Sequence, residues 1–240
     1  MKVVLIGYGK MGKTLHTLLQ KRNHEVVGIV DLENASDLEK IISKGDVAIE
    51  FSTPETAYSN ISTCIKNKVP VVSGTTGWLE KYTEIEALVE GNKGSLFYAS
   101  NYSVGVNIFF ELNKYLAKLM NNFNEYDLLL EEVHHTEKKD SPSGTALTLA
   151  NGILDNLDRK ISWKENQICE GDDLAIYSKR EGKVFGIHKI KYHNMIDNIE
   201  IAHEAYGREG FAHGAISAAE WLIDKKGVFG MKDMLGIESD

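Results

Sequence analysis

The stretch VVLIGYGKMG, residues Val3 to Gly12, decides the fold. An apolar, β-branched run breaks into Gly-x-Gly-x-x-Gly, and Met11, Leu15, Leu18 and Leu19 then follow at helical spacing. Strand, tight turn and helix in that order make the phosphate-binding element of a dinucleotide domain. The glycines let a pyrophosphate approach the backbone, and the helix N-terminus meets it with free N–H groups. Gly7, Tyr8, Gly9, Lys10, Met11 and Gly12 are therefore the first candidate cofactor-binding residues. Asp31 closes the next strand-like run, Glu25–Val30. It lies roughly 20 residues beyond the loop, where a carboxylate accepts hydrogen bonds from a ribose diol. That carboxylate repels a 2′-phosphate, and Leu32 beside it supplies no counter-charge. NADH is expected over NADPH, with Lys10 and Lys13 the cations that can offset the repulsion.

Past Asp31 the alternation continues. Val47–Phe51, Pro70–Val72 and Leu96–Ala99 read as short buried strands. Pro54 opens a helix whose apolar stripe is Ala57, Ile61, Cys64 and Ile65. Alternating strands and helices with near-continuous apolar strands imply a parallel sheet covered on both faces. In such a sheet the loops after the fourth and fifth strands share the carboxyl edge with the glycine-rich loop, where ligands bind. Gly74, Thr75 and Thr76, and then Ala99, Ser100, Asn101 and Tyr102, are further candidate cofactor-binding residues.

The pattern changes after residue 103. A long helix is expected over Val104–Met120, with apolar residues at Val104, Ile108, Leu112, Leu116 and Leu119. A strand follows over Asp127–Val133 and a helix over Thr145–Leu157. Leu174–Ser178, Val184–Tyr192 and Ile199–Ala205 read as strands joined by turns such as Glu181-Gly182. Runs of strands after a βαβ region suggest a second domain with a mixed or antiparallel sheet. Phe211–Ile223 again resembles a helix of the first region. The expectation is an α/β chain with an N-terminal Rossmann-type parallel sheet built from residues 1–103 and 210–240. A second α+β domain is expected over 104–209.

Composition narrows the function. The chain has 240 residues, a net charge of −8 and 42% hydrophobic residues. An acidic protein is a poor nucleic-acid partner, since phosphate contacts want a basic face. No segment approaches the ~18 uninterrupted apolar residues of a membrane span. The N-terminal apolar run is too short for a signal peptide. Cys64 and Cys169 stand far apart with no CxxC pair, which points to the cytoplasm and away from disulfides or structural zinc.

Against that acidic background, HHTEKKDSPSGTA, His134 to Ala146, gathers cations and anion-binding groups in one loop. His134 and His135 end a strand, so their side chains should point apart, which suits one metal ion poorly. No metal is expected. Lys138 and Lys139 follow, and Ser143-Gly144-Thr145 runs into a helix that Ser143 can cap. A helix N-terminus with lysine and histidine beside it makes a carboxylate or phosphate site. Asp140 can order the loop through an Asx-type hydrogen bond.

The run Glu132-Val133-His134-His135-Thr136-Glu137-Lys138-Lys139-Asp140-Ser141-Pro142-Ser143-Gly144-Thr145-Ala146 resembles the signature of the 4-hydroxy-tetrahydrodipicolinate (dihydrodipicolinate) reductase family. The resemblance runs the length of the chain, through Gly74–Gly77, Ala99–Val106 and His203-Glu204-Ala205 to Trp221-Leu222. It implies a cytoplasmic homotetramer whose second domain binds substrate and builds the oligomer. It also implies reduction of a cyclic dicarboxylate with NADH or NADPH in lysine and diaminopimelate biosynthesis. Carried onto matching positions, His134 is the proton donor and Lys138 a second one. His135, Gly144 and Thr145 contact the substrate carboxylate. Thr136 and Glu137 depart from the basic or aromatic residues of many relatives, and the 31–47 segment is short for the family. An amino-acid-pathway dehydrogenase of another kind, or a nucleotide sensor without turnover, leaves the His-His…Lys…Pro-Ser-Gly-Thr loop unexplained.

Overall fold

The computed structural model describes residues 1–169 and 171–237. In chain order, β1 (Lys2–Ile6) leads to α1 (Lys10–Lys21), β2 (Glu25–Val30), α2 (Leu38–Ile42) and β3 (Val47–Glu50). Then come α3 (Pro54–Lys66), β4 (Val71–Ser73), α4 (Tyr82–Asn92), β5 (Ser95–Tyr98) and α5 (Val104–Met120). β6 (Asp127–His134), α6 (Gly144–Leu154), β7 (Ser162–Glu165), β8 (Asp173–Arg180), β9 (Gly186–His193) and β10 (Asn198–Ala205) follow. The chain closes with α7 (Glu209–Leu222), β11 (Gly227–Phe229) and α8 (Met231–Leu235). No helix among the described residues is long and apolar enough to cross a membrane.

These elements form two compact units, Met1–Val104 with the segment from Glu209 onward, and Gly105–Arg208. The first unit holds a six-stranded sheet ordered β11-β5-β4-β3-β1-β2. All its pairings are parallel. Strand residues alternate between two cores, as the pleat requires. Val3, Leu5, Val47, Ile49, Val72 and Phe97 pack on the side of α1 and α7. Val4, Ile6, Ala48, Val71 and Leu96 pack on the side of α2, α3 and α4. Strands buried on both faces have no polar side to show, which explains their unbroken apolar sequence. The strand order reverses at β1, so the carboxyl ends of β1 and β3 open a crevice between them. The short 31–47 segment forms a 3₁₀ turn, Leu32–Asp37, and the brief α2.

The second unit is a five-stranded mixed sheet, β10-β9-β6-β8-β7. β6 lies at its centre, antiparallel to β9 and parallel to β8. Its apolar core joins β6, β8 and β9 to α5 and α6. α5 spans the expected residues, but its buried face differs from the apolar series read in the sequence. Val104, Ile108, Leu112 and Leu119 are exposed, whereas Val106, Phe109, Ala117 and Met120 are buried. Asn113 is buried with them, its amide donating to the Leu149 carbonyl at 2.9 Å. α5 is apolar on two sides, and a polar residue sits on the inner one. Periodicity alone therefore cannot choose the face. The short edge strands β7 and β11, and α2, α4 and α8, add to the elements expected from the sequence. The register of α5 makes a direct test. Phe109→Ala should cost about 3–5 kcal/mol in urea unfolding, whereas Ile108→Ala should stay within ~0.5 kcal/mol.

Candidate active site

In the first unit a cleft of about 220 Å³ opens at the carboxyl ends of β1, β2 and β3. Gly7, Tyr8 and Gly9 line it from one strand, Val30, Asp31 and Leu32 from the next, and Phe51, Ser52 and Thr53 from the third. The three glycines of the loop have different reasons. Gly7 sits at φ +91°, and a Cβ there would lie 2.0 Å from the Phe51 carbonyl oxygen. A Cβ on Gly12 would lie 2.2 Å from the Gly7 carbonyl oxygen, so these two are fixed by close packing. Nothing lies within 4 Å of a Cβ on Gly9. That open face stands at the N-cap of α1, which has no side-chain cap bond and no acidic residue in its first turn. Free amides with a positive helix end fit a pyrophosphate. Asp31 lines the same cleft while its Oδ1 accepts from the Leu32 N–H at 2.9 Å. Lys10 is exposed and Met11 half-buried at the start of α1.

The neighbouring loops are tied together by a residue the sequence reading passed over. Glu50, at the end of β3, is completely buried. Its carboxylate accepts from the Ser52 N–H at 2.9 Å, Ser73 Oγ at 2.6 Å and Thr75 Oγ1 at 2.9 Å, and from Ser52 Oγ as well. It fixes the loop after β3 to the Gly74–Thr75 loop. Gly74 is half-buried against the Phe51 ring, where a Cβ would lie 2.1 Å from Cε1. Thr75 is buried and Thr76 exposed. After β5, Ala99 and Asn101 are half-buried and Ser100 is exposed. Tyr102 is 1% exposed and its hydroxyl donates to the Ser73 carbonyl at 2.7 Å, so its side chain is a core strut and only its backbone is left to face the crevice. The missed cleft residues, Phe51 to Thr53, had a sequence signal: they follow a buried strand at the carboxyl edge of a parallel sheet.

In the second unit β6 delivers Glu132 and His134 to the same face, two residues apart along the pleat. Register sets Glu132 opposite His188 on β9 and Ser178 on β8. Glu132 is fully buried, and His134 and His188 nearly so. Glu132 Oε1 accepts from the Ser143 N–H at 3.0 Å and from Arg180 Nη2 at 3.2 Å. Its Oε2 lies 3.1 Å from His134 Nδ1 and 3.7 Å from His188 Nε2. Burial works against the charged carboxylate, but hydrogen bonds from His134 and Ser143 outweigh it and hold Glu132 well below the usual carboxylate range. Burial pushes His188 down to about 3, so its imidazole is neutral. Donor atoms of Glu132, His134 and His188 fall within 4.8 Å of one another. Arg180 and the Ser143 amide already neutralise and bind that carboxylate, so the cluster reads as a hydrogen-bonded proton site.

The loop beyond β6 is braced from the same centre. Arg180 Nη2 also donates to the Asp140 carbonyl at 2.7 Å, which assigns it to holding the loop. Lys138 Nζ pairs with Asp140 at 2.9 Å, and that pairing lowers the Asp140 carboxyl below its ordinary range. Asp140 thus serves as a counter-ion to Lys138. Glu137 is exposed. His135 is half-buried, with Nδ1 buried and unpaired among the described residues. Ser143 caps α6 by accepting from the Ala146 N–H at 3.2 Å. That leaves the amides of Gly144 and Thr145 in the open first turn, with no acidic side chain there and nothing within 4 Å of a Cβ on Gly144. Bare helix amides, a lysine and a histidine can bind a carboxylate.

Comparison with known proteins finds matches to both parts of the chain. Residues 1–102 match the family model described as dihydrodipicolinate reductase, N-terminus, and residues 105–235 match its C-terminus. The chain is 46% identical over 237 residues to the 4-hydroxy-tetrahydrodipicolinate reductase of Christiangramia forsetii, covering 98% of each. It is 34% identical to that of Methanoregula boonei, covering 99% of this chain and 98% of the other. Among solved structures, a dipicolinate-bound dihydrodipicolinate reductase from Paenisporosarcina sp. TG-14 superposes with a TM-score of 0.76. It is 24% identical, and the match covers 96% of this chain and 97% of that one. This chain belongs to the dihydrodipicolinate reductase family.

Proposed function

We propose that this chain reduces 4-hydroxy-tetrahydrodipicolinate to tetrahydrodipicolinate with loss of water, in lysine and diaminopimelate biosynthesis. The observation that carries this reading is the pairing of a buried His134 on Glu132 with the bare α6 N-terminus, in a member of this family. Gly7 to Gly12, Asp31, Gly74 to Thr76 and the backbone around Ala99 to Tyr102 would hold a nicotinamide dinucleotide. When bound, its reduced nicotinamide supplies the hydride. The chain's own residues do the rest. The amides of Gly144 and Thr145, with His135, hold a substrate carboxylate. Lys138 neutralises the second negative group, sharing its charge with Asp140. The 4-hydroxyl leaves as water with a hydrogen from the adjacent carbon, and the conjugated imine so formed would accept the hydride at the carbon that carried the hydroxyl. The resulting enamine takes a proton on the adjacent carbon from His134, whose imidazole can both donate and accept a proton.

Asp31 favours NADH over NADPH, because a carboxylate in the ribose region of the cleft repels a 2′-phosphate. The family resemblance supports a cytoplasmic homotetramer, and Ile108, Leu112, Tyr115 and Leu119 leave an apolar face on α5 for such an assembly.

The decisive assay follows NADH and NADPH oxidation with substrate made in place from pyruvate and aspartate semialdehyde by the preceding synthase. Turnover that requires the synthase and runs faster with NADH is expected. No turnover with either cofactor, despite bound NADH, contradicts the reading. His134→Ala and Lys138→Ala should each lower turnover at least about tenfold with NADH binding nearly unchanged. Gly9→Ala should leave the unfolding midpoint unchanged and weaken NADH binding by about tenfold or more. Gly7→Ala should lower both.

A further inference from the structure

We infer that Glu132 is the positioning residue that locks the proton-donating histidine and the anion-binding helix start into one rigid unit. One carboxylate oxygen holds Nδ1 of His134 and the other holds the backbone of Ser143. The inference rests on the reductase reading above, in which His134 delivers the proton.

Several contacts argue for more than charge neutralisation. Arg180 at 3.2 Å would by itself balance the carboxylate. Instead, Oε1 also receives the amide of the residue that caps α6, immediately before Gly144 and Thr145. Oε2 is left facing His134 Nδ1 in a charge contact at 3.1 Å, and both atoms are buried with no other group to satisfy them among the described residues. His188 is the competing imidazole, T-shaped to His134 with centroids 5.1 Å apart. Its Nε2 lies 3.2 Å from Ser143 Oγ. That hydroxyl already accepts from Ala146, so its own hydrogen can be donated to the neutral imidazole. His188 Nε2 then has no proton to offer Glu132, and the carboxylate is reserved for His134.

Holding a proton on Nδ1 makes Nε2 the ring atom that exchanges protons with substrate. Gly186, the first residue of β9, lies against that atom. A Cβ there would stand 3.0 Å from Nε2 and 3.4 Å from Cδ2. Any side chain at this position would crowd the working edge of the imidazole.

The test is steady-state kinetics of Glu132→Gln, which keeps an oxygen for Ser143 and Arg180 but removes the anion facing His134. The expected result is a kcat at least about tenfold lower, with a much smaller change in KM for the cyclic dicarboxylate. Gly186→Ala should likewise lower kcat more than it raises KM. Nitrogen-15 histidine NMR of the wild-type protein decides the point even if Glu132→Gln fails to fold. His134 carrying its neutral-form proton on Nδ1 supports the inference, and a proton on Nε2 alone overturns it. If His134→Gln is slow while Glu132→Gln turns over like wild type, or only KM rises, the positioning role is overturned and the reductase reading stands. Wild-type turnover in His134→Gln removes the donor assignment and this inference with it.

Discussion

A carboxylate with no exposed surface must find hydrogen-bond donors, or the protein bears the cost of an unpaired buried charge. Glu132 meets that requirement at the centre of the second sheet, and the arrangement of the site follows from how. Its donors come from different elements: Ser143 at the head of α6, Arg180 on β8 and His134 on β6 itself. Satisfying one charge therefore brings a strand end, a helix N-terminus and a loop together. Removing any one donor leaves the others holding a partly unpaired anion, which makes such networks cooperative and rigid.

The first unit uses the same device. Glu50 ends β3 as a buried carboxyl group, and its partners Ser52, Ser73 and Thr75 lie in the segments that shape the dinucleotide crevice. Around it the glycines are set by contact distances. Gly7 and Gly12 are glycine because backbone oxygens stand where a Cβ would go, and Gly9 faces open space where a phosphate can approach. Each unit thus presents a helix N-terminus with bare amides, one at α1 and one at α6, next to a buried carboxylate that fixes the surrounding loops. Two candidate anion sites on an acidic chain thus rest on backbone and local charge, within an overall balance of −8.

Much of this was legible in the sequence, for identifiable reasons. The parallel sheet showed itself because strands buried on two faces read as unbroken apolar runs, and the glycine loop because its spacing is dictated by sterics. The loop from His134 to Thr145 stood out by its chemistry, and the cap at Ser143 by residue type and position. What stayed hidden depends on distant pairing. Glu132 and Glu50 look like ordinary strand residues until register places His188, Ser178 and Ser73 beside them. The inner face of α5 is hidden from periodicity because Asn113 is buried through a bond to α6 and because apolar residues also line the outer face. The carboxyl-edge position of Tyr102 points to the crevice in the sequence, and only the packing shows that its ring fills the core between Phe51 and Phe97. Arg180 could be assigned only once the Asp140 carbonyl and Glu132 were seen to converge on it.

The central claim is that the start of α6, fixed by Glu132, is the carboxylate site beside His134. The most direct measurement is a crystal structure of the protein with NADH and dipicolinate, a cyclic dicarboxylate that cannot turn over. One carboxylate is expected within about 3 Å of the Gly144 and Thr145 amides, with Lys138 near the other charged group and the Glu132–His134 contact intact. A dicarboxylate bound away from the α6 N-terminus, or seated there with His134 turned off Glu132, would contradict it.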